Sequence, residues 1–484
     1  MKYDFTQIEE IILKNPNKAL VSKGVEYSKR CRFHLFGENK ESYIALIEGF
    51  EKSKKIREQF AKSNKDAMER LLNPRSAIYS AKGGSFYTNL SDSSDAKARL
   101  LASNISNGLS LKKWIETILQ PQADADPFGH VLLEILPKEE KANAIAEGMP
   151  YVYPVYKSIQ DIYDIPAPNG NKYDYVCYNY PVDQAKKLGL KGKVYRFIDD
   201  AFDYIITIGS TNGKRSIEIQ SQYTLPNFFG FVPAYCNSDI DDPSLPGGKL
   251  SIIDKIMELA EHYMMDSSLK TYNKFYFAFP KYAELADDCK ACQGTGVKGN
   301  DDCEKCGGSG RSLMVNPSQR KAVRWPEKDI PAVLPSDVAA FIEPTDTFQT
   351  LVTGDMATGY RTMYEVLWGT APSGQTSGPN MQQGNEKTAT QAVLDLQPQN
   401  NRLEPCSQWV ENRFKFIFDN VARVQMSMPG YQGCSYSAGR RYLIESPDVL
   451  WDKYSRARHS GAPTNVLDDM LNEYFDTKFK SDPV

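Results

Sequence analysis

The chain has 484 residues, 41% hydrophobic and 11% aromatic, a composition typical of globular proteins with about two to four packed units. Lys and Arg (58) nearly balance Asp and Glu (61), which excludes the global basic field that many nucleic-acid and membrane-surface binders carry. The opening stretch MKYDFTQIEEIILKNPNKAL lacks the apolar core of a secretory signal, and no run approaches the roughly 18 apolar residues of a membrane span, so we expect a cytoplasm-like, reducing environment.

The first half of the chain predicts helices followed by short strands. Residues 38–72 place apolar side chains at helical spacing among many charges, which predicts a solvated helix before the breaker NPRSA. SLKKWIETILQ (110–120) predicts an amphipathic helix, and PQADADPFGHVLLEILP then predicts a turn entering a strand. From 151 to about 240, short alternating runs rich in Tyr, Val, Ile and Phe, separated by Asn-Gly and Pro-rich turns, predict an antiparallel sheet.

Two long helices are predicted on either side of a cysteine-rich segment. The first, LSIIDKIMELAEHYMMDSSLKTYNKF, carries two neighbouring apolar stripes: Leu250, Ile253, Met257, Ala260 and Met264, and beside them Ile252, Ile256, Leu259 and Tyr263. Two stripes indicate contact with more than one helix, although the core helix of a single domain explains the same periodicity. The second helix begins after Pro344, and its apolar positions are Phe348, Leu351, Val352, Met356, Met363, Tyr364 and Leu367.

The cysteine-rich segment is CKACQGTGVKGNDDCEKCGGSGR (289–311). Its four cysteines form CxxC, ten residues, then CxxC, the spacing of a structural tetrathiolate zinc site; they are Cys289, Cys292, Cys303 and Cys306. Because four thiolates leave no open position for water or substrate, we expect one structural Zn²⁺ per subunit and no catalytic metal. A segment this short cannot bury a core of its own, so the metal is expected to stabilise its fold.

Glycines and basic residues are expected to offset the negative charge of such a centre. Each cysteine pair is followed by Gly-x-Gly, which lets backbone N–H groups point at the sulfurs; these glycines are Gly294, Gly296, Gly308 and Gly310. Three nearby basic residues are expected to help, namely Lys290, Lys305 and Arg311.

The remaining cysteines and the histidines point away from enzyme chemistry. Five scattered cysteines are predicted to be small core residues: Cys31, Cys177, Cys236, Cys406 and Cys434. The four histidines have no HExxH spacing; they are His34, His130, His262 and His459. No GxxxxGK[ST] phosphate loop is present, so we predict that the protein is not an enzyme and has no catalytic residues.

The last third begins with GTAPSGQTSGPNMQQGNEKT (369–388), which has almost no charge and no large apolar group. This composition predicts a mobile loop, and an ordinary surface connection is the alternative to a functional one. ATQAVLDLQ follows, with a break at PQNNRLEP and a helix at CSQWVENRFKFIFDNVARVQM. The final fifty or so residues predict one short amphipathic helix and a polar tail.

The tandem CxxCxGxG units resemble half of the zinc region of DnaJ-type chaperones over about 23 residues. The His-Pro-Asp tripeptide of a J-domain is absent, so we interpret the segment as a local metal staple. The resemblance leaves one alternative function open, a zinc-stapled, chaperone-like protein-binding module. A zinc-ribbon nucleic-acid enzyme is a second alternative.

The order of these elements resembles the portal (head-to-tail connector) proteins of tailed bacteriophages. FGFVPAYCNSD followed by GGKLSIIDKIMELAEHYMMDSSLKTYN is similar to the strand, acidic linker and first stem helix of portals, and GTAPSGQTSG is similar to their tunnel-loop region. The resemblance implies an α+β fold with a helical and antiparallel-β wing, two stem helices, a small zinc-stapled clip, a long kinked helix and a short helical crown. The implied boundaries are N-terminal region and wing 1–248, first stem helix 249–275, clip 276–343, second stem helix 344–368, tunnel loop 369–387, kinked helix 388–426 with its break near Pro398 and Pro405, and crown and tail 427–484.

The same resemblance implies a function in virus assembly. Portals form a homo-oligomeric ring, commonly a dodecamer, at one capsid vertex, where DNA is packaged and ejected through the channel. The implied partners are further copies of the chain, the major capsid protein, a head–tail adaptor, the terminase and double-stranded DNA, with no membrane; the ring assembles in the host cytoplasm and stays in the virion. The residues implied to face the DNA channel are Ser373, Gly374, Gln375, Thr376, Ser377, Gln382 and Gln383.

Overall fold

The computed structural model mixes helices with sheets and forms two compact units. It describes residues 3–38, 62–81, 83–106, 108–147, 150–168, 172–211, 214–277, 281–286, 288–299, 301–308, 310, 320–324, 340–342, 346–370, 389–426, 431–440 and 447–478. The first unit comprises Met1–Arg32, Glu69–Asp254 and Leu367–Val484, and the second comprises Phe33–Met68 and Lys255–Val366.

The helices and strands of the described residues have the following bounds. The helices are α1 (Phe5–Lys14), α2 (Lys18–Phe36), α3 (Lys65–Leu72), α4 (Ser76–Ser80), α5 (Asp92–Ser103), α6 (Leu111–Trp114, continued by a π-helical turn over Ile115–Leu119), α7 (Gln120–Ala125), α8 (Lys138–Glu147), α9 (Val182–Lys187), α10 (Met257–Phe277), α11 (Asp346–Trp368), α12 (Ala389–Met426), α13 (Pro447–His459) and α14 (Thr464–Lys478). The strands are β1 (Ser85–Thr88), β2 (His130–Ile135), β3 (Val152–Lys157), β4 (Ile162–Asp164), β5 (Val176–Asn179), β6 (Lys193–Ile198), β7 (Phe202–Thr211), β8 (Lys214–Ile219), β9 (Leu225–Pro226), β10 (Ala234–Cys236), β11 (Lys281–Ala286), β12 (Val297–Lys298), β13 (Asp301–Asp302), β14 (Arg320–Arg324), β15 (Ala340–Ile342) and β16 (Cys434–Ser437).

A six-stranded antiparallel sheet organises the first unit. Its strand order is β4-β5-β6-β7-β8, and β9 also pairs with β7. The prediction of an antiparallel sheet over about 151–240 is therefore confirmed. The alternation of side chains along β5 explains the two apolar faces, because Cys177 lies in one core while Val176 and Tyr178 lie in the other.

Helix α1 covers one face of this sheet. Its buried Ile8, Ile11 and Ile12 pack with the aromatic and aliphatic residues of β5 to β8. Asp4 caps the helix, accepting a hydrogen bond from the Gln7 N–H, while the Gln7 side chain accepts one from the Asp4 N–H. The opposite face of the sheet packs on a second core that includes Leu132 and Ala234 from a three-stranded sheet, β10-β2-β3.

Helix α12 packs within the first unit through Arg413, whose side chain is fully buried. The guanidinium pairs with the Asp239 carboxylate and donates to the carbonyl oxygens of Cys236 (2.8 Å) and Asn237 (2.9 Å). It also lies over the rings of Trp409 and Tyr235. A buried guanidinium with a carboxylate and two carbonyl acceptors fixes the helix against the turn after β10.

Two prolines lie inside α12, where the sequence predicts a break. The helix continues through both Pro398 and Pro405 from Ala389 to Met426, so the predicted break is wrong. Each proline removes one backbone N–H donor, and both side chains are exposed, where water can solvate the freed carbonyl groups.

The first long helix begins at Met257 and not at 249, so its predicted start is also wrong. The preceding backbone is held by other partners: the Leu250 N–H donates to the Ile240 carbonyl, and the Ser251 N–H donates to the Tyr27 hydroxyl. Because these donors are already satisfied outside a helix, only a short 3-10 turn over Asp254–Ile256 precedes α10.

A three-stranded sheet in the second unit has the order β14-β11-β15. Strand β11 pairs antiparallel with β15 but parallel with β14, with Tyr282 opposite Arg320. Parallel neighbours need a long crossover connection, which is commonly a helix. Here the connection between β11 and β14 contains the cysteine-rich segment, so that segment takes the place of a crossover element.

The apolar stripes of the two long helices are partly buried as predicted. Met257, Ala260 and Met264 of α10 are buried, whereas Leu259 and Tyr263 of the second stripe are half-buried. On α11, buried residues include Val352, Met363, Tyr364 and Leu367. Leu351 differs from the prediction, since 59% of its surface is exposed.

The scattered cysteines and the C-terminal region complete the comparison with the sequence. Cys31, Cys177, Cys236 and Cys434 are buried as predicted, and Cys406 is half-buried. The C-terminal region has two helices, α13 and α14, and not one. No helix in the described ranges is long and apolar enough to cross a membrane.

Candidate metal centre

Four cysteine thiols converge in the segment between β11 and β14. The Sγ atoms of Cys289, Cys292, Cys303 and Cys306 all lie within 4.8 Å of one another, and each side chain is at most 7% exposed. Among the residues that the structure describes, this is the one group of three or more His, Cys, Asp or Glu side chains close enough to hold a metal ion. The cysteines predicted from spacing are therefore brought together.

The site is built from two copies of one short pattern, Asp-Cys-x-x-Cys-x-Gly-x-Gly. We call residues 288–296 half-site 1 and residues 302–310 half-site 2. A short antiparallel ladder links them, with Val297 opposite Asp302. Corresponding residues are offset by 14 positions throughout, so every contact in one half-site has a potential counterpart in the other.

Two crossed backbone hydrogen bonds join the half-sites. The Cys289 N–H donates to the Gly310 carbonyl oxygen (2.9 Å), and the Cys303 N–H donates to the Gly296 carbonyl oxygen (2.8 Å). Each bond runs from the N–H of the first cysteine in one half-site to the carbonyl oxygen of the last glycine in the other. Exchanging the two half-sites therefore exchanges the two bonds, as expected for a local two-fold axis between them. The first bond also closes the segment, because its entry and exit residues are hydrogen-bonded to each other.

The glycines at the ends of the half-sites allow this close approach. A Cβ atom at Gly296 would lie 2.5 Å from the Gly308 carbonyl oxygen, and a Cβ atom at Gly310 would lie 2.5 Å from the Gly294 carbonyl oxygen. Their φ angles, 78° and 72°, are also in the left-handed region that favours glycine. The Gly-x-Gly pattern therefore permits both the backbone turn and the contact between half-sites.

Asp288 and Asp302 are functional candidates that are not among the predicted residues. Each directly precedes a CxxC pair. The carboxyl carbon of Asp288 lies 3.1 Å from the position that a Cβ atom would take at Gly294, and the carboxyl carbon of Asp302 lies 3.1 Å from the corresponding position at Gly308. The signal for them in the sequence is the shared 14-residue offset, which extends two residues before the first cysteine of each pair, to Asp287 and Asp301.

Backbone N–H groups also point at the sulfurs. The Gly296 N–H donates to the Cys292 Sγ (3.3 Å), and the Gly310 N–H bonds to Cys306 in the corresponding way. Burial acts to raise the pKa of Cys306, but the Gly310 N–H and hydrogen bonds from the other three thiols outweigh it and lower the pKa to about 7. Burial raises the pKa of Cys292. The lowered pKa of Cys306 favours the thiolate form that metal ligation requires.

The predicted basic residues lie at the surface of the segment. Lys290 and Lys305 are both exposed, whereas Arg311 lies outside the described residues. The direct stabilisation of the sulfurs in the described part therefore comes from backbone N–H groups.

The donor set fits a thiophilic metal ion. Four convergent thiols of low exposure, with an N–H···S hydrogen bond from Gly296, form a group that could bind a metal ion such as zinc.

The residues predicted to face a DNA channel lie outside the described residues. They are Ser373, Gly374, Gln375, Thr376, Ser377, Gln382 and Gln383. Gly369 and Thr370, at the start of that segment, directly follow α11.

The histidines have separate environments in the described structure. His130 is buried and hydrogen-bonded to the Tyr178 hydroxyl, and His34 is buried and contacts Asn64. His262 and His459 are exposed.

No protein-family model matches the chain, and a search of curated proteins finds no match.

Proposed function

We propose that this protein is the portal, or head-to-tail connector, of a tailed bacteriophage, a ring at one capsid vertex through which DNA is packaged and ejected. The observation that carries the proposal is the order of elements. A largely antiparallel sheet region is followed by the 21-residue helix α10, a small sheet with a metal module, the 23-residue helix α11, an uncharged segment and the 38-residue helix α12. This order is that of wing, stem, clip, stem, tunnel loop and kinked helix in portals.

The surfaces of the long helices support a ring of copies. Helix α10 has a buried stripe and a half-buried stripe, and α11 has buried apolar residues together with the exposed Leu351. Helices that pack side by side around a ring need apolar groups toward neighbours on both sides. Half-buried and exposed apolar positions on these helices are suitable for contacts with adjacent copies.

The charge of the chain also suits a conduit. A formal net charge of −3 gives no strong attraction for phosphate, and the run 369–388 is almost uncharged. Each Lys or Arg paired with a phosphate adds a salt-sensitive contact that must break as DNA moves. A nearly neutral channel loop therefore favours sliding over binding.

In this proposal the four cysteines hold one structural Zn²⁺ per subunit. A tetrahedral set of four thiolates is the ligand set of structural zinc, and its charge suits the N–H donors of Gly296 and Gly310. The bound metal would cross-link the two half-sites and so stabilise the fold of residues 288–310, which lie in the chain between β11 and β14. We place this segment in the clip, at the end of the ring where the terminase and later the head–tail adaptor would dock.

Electron microscopy of the negatively stained full-length protein tests the proposal. We expect rings of about twelve copies with a central hole, as in portals. Monomers or dimers under all conditions would contradict the portal proposal, and would favour the alternative of a chaperone-like zinc module, which rests on the CxxCxGxG units.

Metal analysis tests the zinc part separately. We expect about one zinc per chain in the purified protein, and loss of that zinc in a variant with all four cysteines replaced by serine. Protein that binds no zinc after reconstitution under reducing conditions would remove the metal assignment without deciding the question of the ring.

A further inference from the structure

The local two-fold relation between the half-sites has a consequence for binding. We infer that each half-site is self-complementary, so that either one can complete a four-thiolate metal centre with the same half-site of a second copy of this chain. The inference rests on the zinc part of the proposed function and is independent of the ring. Each half-site can thus associate, through a shared metal ion, with the same half-site of another chain. In the intact segment, the two half-sites of one chain pair with each other instead.

Each half-site contains both members of the crossed backbone hydrogen bonds. Half-site 1 has the Cys289 N–H as donor and the Gly296 carbonyl as acceptor, and half-site 2 has the Cys303 N–H and the Gly310 carbonyl. In a two-fold pair of half-sites 1, the Cys289 N–H of each copy would donate to the Gly296 carbonyl of the other. No donor or acceptor of the observed interface is then lost.

The backbone shapes of the half-sites are also equivalent. Gln293 has a φ of 53°, a rare value for a residue other than glycine, and its counterpart Gly307 has a φ of 59°. Gly294 and Gly308 have φ angles of 83° and 82°. Since the left-handed residues occur at matching positions, half-site 1 has the backbone turns needed to take the place of half-site 2 against another half-site 1.

The residues that differ between the half-sites lie mainly outside their interface. Lys290 corresponds to Glu304, and Lys305 corresponds to Ala291; the three charged side chains are exposed, while Ala291 is half-buried. The residues that make the crossed hydrogen bonds are cysteine or glycine in both half-sites, whereas Ala291, which packs against the cysteine cluster, is replaced by Lys305 in half-site 2. Sequence differences at the charged positions are therefore compatible with pairing between identical half-sites.

The connection between the half-sites explains why the intact chain closes on itself. Only residues 297–301 separate them, and a short tether gives an effective concentration of order millimolar. At micromolar chain concentration, pairing between copies is therefore about 10²- to 10³-fold weaker than closure within one chain. Pairing between copies becomes visible when one half-site has lost its ligands.

Two full-length double variants test the inference. Cys303→Ser with Cys306→Ser leaves only half-site 1, and Cys289→Ser with Cys292→Ser leaves only half-site 2. After loading with Zn²⁺ under reducing conditions and removal of free metal, we expect one zinc per chain in the wild type and one zinc per two chains in each double variant. Their apparent zinc affinity at micromolar chain concentration should be about 10²- to 10³-fold lower than that of the wild type.

The number of zinc ions bound per chain distinguishes the possible results, because it does not depend on how many chains assemble into one particle. Double variants that bind no zinc, or one zinc per chain, while the wild type binds one per chain would overturn this inference alone. A wild type without zinc would overturn the zinc assignment as well. A variant with all four cysteines replaced provides the background, and amide protection of β5 to β7 verifies that each variant retains the fold of the first unit.

Discussion

Replacing Gly296 by alanine should weaken metal binding by separating the half-sites. The new Cβ atom would lie 2.5 Å from the Gly308 carbonyl oxygen, a distance that backbone atoms cannot accept without movement. Relief of this clash requires the half-sites to move apart, which weakens the two crossed hydrogen bonds. At about 1 kcal/mol for each bond, the loss is about 2 kcal/mol, or about 30-fold in zinc affinity.

Gly299→Ala is the matched control for this substitution. Gly299 has a similar φ angle, 71° compared with 78°, but nothing lies within 4 Å of the Cβ position. Both variants therefore carry the same strain of about 1–2 kcal/mol from the left-handed backbone, and only Gly296→Ala carries the clash. Gly310→Ala, the two-fold counterpart, should match Gly296→Ala because its Cβ atom would also lie 2.5 Å from a carbonyl oxygen.

Competition for zinc with a chromophoric chelator measures these affinities in the full-length chain. We expect Gly296→Ala and Gly310→Ala to bind zinc about 30-fold more weakly than Gly299→Ala. Equal affinity of all three variants would refute the interlocked arrangement. A large difference between Gly296→Ala and Gly310→Ala would refute the two-fold equivalence of the half-sites.

Three further changes test the energetics elsewhere in the chain. Replacing all four cysteines by serine should abolish amide protection across 288–310 but leave that of the six-stranded sheet intact, because metal holds the segment as a separate cooperative unit; equal loss in the sheet would contradict this. Arg413→Met should lower the free energy of unfolding by about 2–4 kcal/mol in urea titrations, because the buried carbonyl oxygens of Cys236 and Asn237 lose their donor. Lys415→Met, at an exposed position of the same helix, is the control and should change the free energy of unfolding by less than about 0.5 kcal/mol. Burial and, less strongly, the nearby Lys157 lower the pKa of His130 to about 3. Between about pH 6.5 and 3 the unfolded state therefore binds one more proton than the folded state, and the free energy of unfolding falls with decreasing pH by up to about 1.4 kcal/mol per pH unit. His130→Gln should remove that contribution, and an unchanged pH slope would count against it.

The metal centre was largely predictable because its information is local. The spacing of Cys289, Cys292, Cys303 and Cys306 indicates the ligand set, and the following glycines indicate a tight backbone. The crossed hydrogen bonds and the contact of Gly296 with Gly308 depend on how the half-sites face each other in space. Repeat spacing alone does not specify that geometry.

The helix boundaries show why other features were not predictable. The apolar periodicity extends back to Leu250, but the helix begins at Met257, because hydrogen bonds from distant residues hold the intervening backbone. Such contacts join residues far apart in the chain, as the bond between Ser251 and Tyr27 illustrates. Pro398 and Pro405 indicate a break by local rules, yet α12 continues through both of them. Tertiary hydrogen bonds therefore override the local helix preference before Met257. The exposure of both prolines to solvent is compatible with an uninterrupted helix α12.

The number of copies in one particle tests the portal proposal most directly. Native mass spectrometry of the purified full-length protein should give a closed assembly of about twelve chains of 54.5 kDa each. The same assembly should form with zinc bound in every subunit. A particle of one or two chains across protein and salt concentrations would contradict the proposal.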